Sequence, residues 1–238
     1  SDVCSSDLAF GLEAVWIEPS QRDQARTLGY TVVDAATAIS THLNKVLREN
    51  ASDLLSHDET QQLLDKLAAK SPKIVEDLVP GKLSLGILTR TLQNLLTESV
   101  SIRDMRSIAE ALTDASTRTQ DPEQLTSMVR PKLGRLIVQA LAGTGDTLQV
   151  MTLDPSLEQM LHNALQQGSS DSGTVLEPGL AESLFAALRR SANAVQEQGH
   201  ASVLVVSPSI RPWLSRTARH RSEEHTSELQ SRETISYA

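Results

Sequence analysis

The residues whose side chains could take part in catalysis are scattered along this sequence, and their spacing matches no catalytic motif. Four of the six histidines, at His42, His57, His162 and His200, each lie far from any matching acid or serine pattern. No phosphate-binding loop, GxSxG motif, HExxH motif or spaced Cys/His set occurs. An isolated histidine is usually a surface residue or one whose hydrogen bonds are satisfied locally. The sequence therefore predicts no catalytic residue, no metal ligand and no cofactor, and it favours a binding protein over an enzyme.

The most regular pattern is a pair of amphipathic segments between Leu78 and Leu112. A turn separates them, and Ser101-Ile-Arg-Asp104 predicts a capping box for the second segment, with Asp in the place of Glu or Gln. Apolar residues recur at helical spacing in both segments. They are Leu83, Ile87, Leu88, Leu92, Leu95 and Leu96 in the first, and Ile102, Met105, Ile108, Ala109 and Leu112 in the second.

Two helices around a turn also suit a helix-turn-helix nucleic-acid binder. Arg103 and Arg106 would then lie on the second helix, but Asp104, Glu110 and Asp114 share that helix and would repel phosphate. The pattern therefore leaves this alternative open but disfavoured.

Neither end of the sequence reads like part of a natural protein. Arg221–Arg232 and Ile235–Ala238 match one reading frame of a common sequencing-library adapter, and Ser1–Leu8 matches its reverse complement. We predict that residues 1–8 and 221–238 are translated adapter and form no packed structure, because chance codons carry no core pattern. The alternative is a pair of natural disordered tails.

Charge and composition exclude several classes of function. The whole chain has 22 basic and 30 acidic residues and a formal net charge of −8. Leaving out the two flanks removes two basic and six acidic residues, so residues 9–220 carry about −4. This balance gives no basic surface for nucleic acid or an anionic membrane. The only cysteine is Cys4, in the first flank, and a cysteine-free remainder suits a reducing compartment. No apolar run approaches the ~20 residues that span a bilayer.

We predict an α+β fold with several subdomains. Ala14–Ile17 and Thr31–Val33 are runs of strand length around a helix that Ser20 caps and Gly29 ends. Residues 9–34 are therefore a partial αβ subdomain that needs more strands upstream. Residues 35–55 form a connecting helix. Its predicted buried stripe consists of Ala38, Ile39, Leu43, Val46 and Leu47.

Residues 56–134 are expected to form an all-helical subdomain. Ser56-His-Asp-Glu59 is a capping box, Asp121-Pro122 starts a later helix, and Pro131 ends or kinks it. Residues 135–220 are expected to form a C-terminal αβ subdomain, truncated at its end. Its strands at 147–153 and 202–206 are predicted to be parallel neighbours, with helices at 154–167, 178–197 and 210–219 and a Gly/Ser connector at 168–173.

Motifs in two regions resemble the FlhA family (FHIPEP) of flagellar type III secretion export-gate proteins. In that family an LVP segment, an LQNLL helix and an IRDM or IRDL turn follow in this order, as they do at 78–80, 92–96 and 102–105. The second likeness comprises AFGL at 9–12, WIEP at 16–19, GYTVVD at 29–34 and TAISTHLN at 37–44. The resemblance covers residues 9–220.

The resemblance implies a chaperone and substrate binding site at Phe10 and Thr41. In the family, a Phe of the AFGL motif and a Thr of the ATHLN motif line a shallow apolar groove for export chaperones loaded with late substrates. An exposed aromatic residue in a groove suits an inserted apolar side chain. By residue type alone, Phe10 in a core and Thr41 on a helix face would be the more ordinary interpretation, and the resemblance favours the groove.

The resemblance also implies a location and partners. The region would be the cytoplasmic domain of a bacterial inner-membrane protein, attached through an N-terminal part outside this sequence. It would form a homo-oligomeric ring, receive export substrates and chaperone–substrate complexes, and work with other export-gate and ATPase-complex proteins. The alternative within the family is the export gate of a virulence-type (injectisome) secretion system, and the Thr-His-Leu and IRDMR motifs favour the flagellar one.

Overall fold

Short helices joined by capped turns dominate this computed structural model, which describes residues 4–6, 13–142, 148–167, 178–199 and 201–218. The fold is α+β, as predicted. Packing divides the chain into two compact units, Ser1–Thr126 and Ser127–Ala238. The boundary between the units falls within helix α8 (Pro122–Val129). It coincides with none of the predicted subdomain limits at 34, 55 and 134, which stay predictions.

The first structured element lies in the flank predicted to be unstructured. Strand β1 (Cys4–Ser6) pairs antiparallel with β2 (Glu13–Val15), with Ser5 opposite Ala14. The prediction that residues 1–8 form no structure is therefore wrong at Cys4–Ser6, and their adapter origin stays a prediction. A strand ladder is made of backbone hydrogen bonds, so it does not require the side-chain pattern that the flank lacks. Residues 221–238 lie outside the described residues.

Helix α1 (Arg22–Thr27) starts and ends through local hydrogen bonds. A 3₁₀ turn at Pro19–Gln21 precedes it, and Glu18 N–H donates to Gln21 Oε1 at 3.2 Å, so Ser20 is not the cap that the sequence predicts. Gly29 ends the helix as predicted, with a φ of 88°. The amides of Gly29 and Tyr30 donate to the carbonyls of Arg26 and Ala25, at 3.0 and 3.1 Å, which is the Schellman arrangement that favours glycine.

Thr31–Val33, predicted as a second strand, has no strand pairing. The strand that the structure does form nearby, β2, pairs with β1 instead. β-branched residues favour an extended backbone only where a neighbouring strand is available to pair with it, so the prediction fails for want of a partner.

The predicted connecting helix at 35–55 is two helices, α2 (Ala35–Glu49) and α3 (Ala51–Leu54). The break is at Asn50, whose φ and ψ of −103° and 17° leave the helical region. Its side-chain amide donates to the Val46 carbonyl at 2.8 Å. An asparagine side chain that competes for helix carbonyls in this way favours a helix end.

The predicted burial of the apolar stripe on α2 is wrong for the large side chains of that stripe. Ile39, Leu43, Val46 and Leu47 are all exposed, and only Ala38 is partly buried. Helical periodicity identifies an apolar face but does not show what covers it.

Helices α4 (His57–Ala68), α5 (Pro72–Leu78), α6 (Leu85–Thr97) and α7 (Met105–Ala115) build the densest core. The predicted Ser56 and Glu59 capping box starts α4, and Ser84 caps α6 by accepting from Ile87 N–H at 3.2 Å. The predicted stripes of α6 and α7 pack inward as expected. Leu64, Leu78, Leu83, Leu88, Leu92, Leu95, Ile108 and Leu112 are fully buried.

Helix α7 begins later than the sequence predicts. Its cap is Asp104, whose carboxylate accepts from Ser107 N–H at 3.1 Å, and not Ser101. The Ser101 hydroxyl instead lies 3.4 Å from Arg103 N–H. Two candidate caps stood three residues apart, and the helix starts at the one with the charged acceptor.

The second unit contains a parallel strand pair, as predicted. Pro131 ends α8 in a 3₁₀ turn at Arg130–Leu133, and α9 (Gly134–Ala142) follows. Strand β3 (Met151–Thr152) pairs parallel with β4 (Leu204–Val205), and both are shorter than predicted. Helices α10 (Pro155–Gln167) and α11 (Pro178–Glu197) lie between them in sequence, and residues 211–218 are helical. The buried core residues are Leu153, Leu161, Leu184, Phe185, Ile210 and Leu214. The connector at 168–173 lies outside the described residues.

Candidate functional site

Helix α2 carries Thr41, and Asp34 fixes where that helix starts. The Asp34 carboxylate accepts from Thr37 N–H at 2.8 Å and from the Thr37 hydroxyl at 2.9 Å. These hydrogen bonds favour the ionised form, with the backbone one foremost, and they lower the pKa of Asp34. Because the cap sets the register of the helix, it also sets the direction in which Thr41 points.

The Thr41 side chain is partly buried and tied to its own helix. Its hydroxyl donates to the Thr37 carbonyl at 2.8 Å. The hydroxyl proton is therefore engaged, and the methyl group and the oxygen lone pairs remain for a ligand. Thr41 can serve as a small groove wall, but it has no spare donor.

Phe10, the other predicted site residue, lies outside the described residues. The described structure therefore does not bring Phe10 and Thr41 together, and the site at these two positions stays a prediction. Trp16, six residues after Phe10, is described and is exposed.

The sequence predicts that the apolar face of α2 is buried, but the opposite face of the helix is the partly buried one. Ala38, Thr41 and His42 are the partly buried positions of the helix. At roughly 100° per residue, Thr41 lies on the side of the helix opposite to the apolar residues Leu43 and Val46. The inward face is thus the more polar one, and periodicity alone could not have revealed this.

Histidines do not form a reaction centre in the described part of the chain. No group of three or more His, Cys, Asp or Glu side chains there could hold a metal ion. His162 lies in a local network that the sequence did not predict. Its Nδ1 is 3.0 Å from Ser209 Oγ and its Nε2 is 2.8 Å from Gln166 Nε2.

The network around His162 joins α10 to the turn after β4. The Glu158 carboxylate accepts from Ser207 N–H at 2.7 Å, whereas the two ring nitrogens of His162 contact Ser209 and Gln166. A Ser–His pair without an acid behind the histidine lacks the arrangement of a catalytic triad. The sequence offered one signal for this contact, namely a serine between a predicted strand and the helix that follows it.

Arg106, on α7, contacts an acidic residue of its own helix. Its Nε lies 3.0 Å from Glu110 Oε1, and both side chains are exposed. Such an exposed i,i+4 pair stabilises the helix only slightly, but Glu110 places a negative charge beside the arginine. This contact counts against the nucleic-acid alternative, which needs that arginine to face phosphate.

Comparison with known proteins decides the family. A model of the FHIPEP family matches residues 2–232. This chain belongs to the FHIPEP family. It is 46% identical over 216 residues to the flagellar biosynthesis protein FlhA of Yersinia enterocolitica, and 45% identical over 213 residues to FlhA of Escherichia coli K12. Both matches cover 90% of this chain but 30% of the relative, so this FHIPEP chain spans about a third of their length. The predicted resemblance is confirmed.

Solved structures share the fold of this FHIPEP chain. The nonameric SctV-C of EPEC is 25% identical with a TM-score of 0.71, and the match covers 92% of this chain and 65% of that one. The C-terminal domain of InvA is 22% identical with a TM-score of 0.67, covering 93% and 66%. In the Chlamydia pneumoniae complex of CdsV and CdsO, the matched chain is 20% identical with a TM-score of 0.67. The match covers 84% of this chain and 59% of that one. Within the described ranges, none of the helices has both the length and the apolar character to cross a bilayer.

Proposed function

We propose that this chain is part of the cytoplasmic docking platform of a flagellar type III export gate in the bacterial inner membrane. The platform binds export substrates and chaperone–substrate complexes and passes them to the channel. The observation that carries the proposal is the similarity to FlhA proteins at 46% and 45% identity over 90% of the chain. The role is one of binding and transport rather than catalysis.

The binding site in this proposal consists of Phe10 and Thr41. Phe10 supplies the aromatic anchor and Thr41 a small wall beside it. Thr41 is partly buried, and its hydroxyl donor is satisfied by Thr37, so it can contact an apolar side chain without leaving an unpaired donor. The pair suits insertion of one apolar residue from the partner.

The proposed assembly is a homo-oligomeric ring that contacts other proteins of the export apparatus. The related SctV-C is nonameric, and the related CdsV forms a complex with CdsO. These assemblies are those of the relatives, and they motivate the same kind of assembly here.

An injectisome export gate is the second candidate. The solved neighbours SctV-C and InvA are 25% and 22% identical to this chain, whereas the FlhA relatives are 45–46% identical. We therefore favour the flagellar function. A nucleic-acid function is disfavoured by the Arg106–Glu110 pair.

A chimera tests the flagellar role. The matching region of E. coli FlhA is replaced by residues 9–220 of this chain in a strain that lacks FlhA, and swimming in soft agar is measured. We expect motility above that of the deletion strain. A chimera that is present in the membrane at normal level but supports no motility, while it restores secretion in an injectisome mutant, would favour the second candidate.

A pair of Thr41 substitutions tests the site. Thr41→Val keeps the volume and removes the hydroxyl, so chaperone affinity should change little. Thr41→Leu fills the space beside the anchor and should weaken chaperone–substrate binding by at least roughly tenfold. The measurement is titration of the chaperone–substrate complex onto the full-length protein. Equal affinity for all three proteins would remove Thr41 from the site.

A further inference from the structure

We propose that Asp34 and Thr37 are positioning residues for the chaperone site, because hydrogen bonds connect the helix cap at Asp34 through Thr37 to Thr41. The proposal rests on the function proposed above and adds to it the residues that make Thr41 a suitable wall for an apolar side chain. Neither Asp34 nor Thr37 has to contact the partner itself. We call the three hydrogen bonds that join Asp34, Thr37 and Thr41 the cap relay.

The cap relay runs through adjacent turns at the start of α2. One carboxylate oxygen of Asp34 accepts from Thr37 N–H at 2.8 Å, and the other accepts from the Thr37 hydroxyl at 2.9 Å. The Thr37 carbonyl in turn accepts from the Thr41 hydroxyl at 2.8 Å. Thr37 therefore contacts both the cap residue and the candidate site residue.

Thr41 suits an apolar partner only while its hydroxyl proton is engaged. A threonine hydroxyl has one proton, and Thr41 donates it to the Thr37 carbonyl. If the first turn of the helix opened, that carbonyl would move away and the proton would face the inserted side chain. A donor that is buried without an acceptor weakens binding. The contact of Thr41 with an apolar partner therefore depends on the turn that contains Thr37.

Among the described residues, Asp34 is the side chain that holds this first turn. Residues 34–37 are all exposed, and α2 contains no buried residue. The first amides of a helix have no partner within the helix, so they depend on a cap. The hydrogen bond from the Thr37 amide, and then that from its hydroxyl, lower the pKa of Asp34. The cap is thus a charged carboxylate at neutral pH, which is a strong acceptor.

The size of the effect follows from what a cap contributes. Replacing a capping Asp by Ala shifts the equilibrium between the closed and the open first turn by about fivefold. A partner that binds only the closed state loses affinity by up to the same factor. The loss should therefore be smaller than that expected for an aromatic anchor, but large enough to measure.

Chaperone titration onto full-length variants tests the proposal. Asp34→Ala removes the acceptor, whereas Asp34→Ser keeps a capping oxygen. The matched control is Asp154→Ala, because Asp154 precedes α10 in the second unit and accepts from Ser156 N–H at 2.8 Å in the same way. Thermal melting of each variant gives the folded fraction, so that affinities are compared per folded molecule.

We expect Asp34→Ala to weaken binding of the chaperone–substrate complex about three- to fivefold, and Asp34→Ser and Asp154→Ala to bind within about twofold of the native protein. Native affinity in Asp34→Ala would overturn the proposal. An equal loss in Asp154→Ala would also overturn it, since the effect would then be one of general helix stability. An Asp34→Ala protein that does not fold would make Asp34 a general stabilising residue, against the proposal.

Combining Asp34→Ala with Thr41→Val shows whether the effect passes through the Thr41 hydroxyl. Valine keeps the shape of threonine without the proton, so the loss caused by Asp34→Ala should fall below about twofold in this background. A residue that only stabilises the fold would cause the same loss in both backgrounds. Equal losses would therefore contradict the cap relay.

Thr41→Leu separates this proposal from the proposed function. If Thr41→Leu weakens binding while Asp34→Ala does not, the site stands and the cap relay plays no part in it. If Thr41→Leu leaves the affinity unchanged, Thr41 is not in the site, and both the site and the cap relay are wrong.

Discussion

Short polar side chains decide where the helices of this protein start. Asp34, Ser56, Ser84 and Asp104 each accept a hydrogen bond from a backbone amide two or three residues further on. Each bond satisfies an amide that the helix itself leaves unpaired. The predicted caps at Ser20 and Ser101 are wrong, which shows that residue type gives candidates and that local geometry chooses between them.

Phe10→Ala in the full-length protein should weaken binding of chaperone–substrate complexes and leave the fold largely intact. An aromatic anchor in a shallow groove commonly contributes ~2 kcal/mol or more, which is roughly a 30-fold loss in affinity. A partly exposed Phe should cost less stability than a core Phe, whose truncation costs ~3–5 kcal/mol. Chaperone titration and thermal melting on the same protein measure both effects.

Phe185→Ala is the matched control for Phe10→Ala. Phe185 is buried in the core of the second unit, so its truncation should lower the melting temperature and leave the affinity per folded molecule unchanged. If Phe10→Ala behaves as Phe185→Ala does, then Phe10 is a core residue and its assignment to the site is wrong.

Ser99→Gly should stabilise the protein by about 1 kcal/mol. Ser99 is the only non-glycine residue at positive φ among the described residues, with a φ of 57°. It follows α6, and the amides of Ser99 and Val100 donate to the carbonyls of Leu96 and Leu95 at 2.8 Å. A left-handed conformation costs a residue with a Cβ roughly 1–2 kcal/mol, and glycine avoids that cost.

Urea denaturation of Ser99→Gly beside Ser101→Gly measures this effect. Ser101 lies in the same turn without a positive φ, so glycine there only adds freedom to the unfolded chain and should give no gain. Equal changes in the two variants would show that the backbone at Ser99 carries no strain.

At the scale of elements, the way a helix packs depends on its neighbours as well as on its own pattern. Helices α6 and α2 both have clear apolar stripes, yet Leu88 and Leu92 on α6 are fully buried whereas Leu43 and Leu47 on α2 are exposed. The difference lies in what surrounds each helix. Helix α6 is enclosed by α3 and α4, and the described structure offers α2 no comparable cover.

The start of α4 should weaken in acid because of Glu59. The Ser56 hydroxyl and then the Ser56 N–H donate to the Glu59 carboxylate and lower its pKa below the ordinary value. A carboxyl with a lower pKa in the folded state adds stability that is present above its unfolded pKa. That stability is lost as the pH falls through the folded pKa.

Glu59→Gln isolates this contribution, because glutamine can keep the capping geometry without a charge. We expect the difference in unfolding free energy between the native protein and the variant to be constant above roughly pH 5.5 and to shrink below the ordinary pKa of about 4.3. Urea denaturation at several pH values measures it. A difference that does not change with pH would show that the charge of Glu59 plays no part in the cap.

At the scale of the whole molecule, one region is closed and its flanks are open. Residues 55–135 expose no large apolar side chain, whereas Trp16, Leu43, Val138 and Val205 on either side are exposed. Buried apolar area is the main favourable term in folding, so stability should be concentrated in the closed region.

Residues 51–126 should therefore fold alone, because α3 packs on α6 and this range ends with the first compact unit. A peptide of this range is expected to be helical and to unfold in one cooperative transition, because it contains the fully buried residues of α4 to α7. Circular dichroism melting of the peptide and of the 238-residue chain makes the comparison. A peptide without a cooperative transition would mean that the flanks supply necessary core contacts.

The sequence alone determined the fold class, the helices of the 56–134 region and the family. These follow from local signals, namely the capping residues, the 3.6-residue period and the spacing of motifs such as IRDMR. Only the tertiary structure decided that Asp104 rather than Ser101 caps α7, that Thr31–Val33 finds no strand partner and that the apolar face of α2 points outward. Each of these depends on which groups lie nearby in space, and a period along the chain shows an apolar face without showing what covers it.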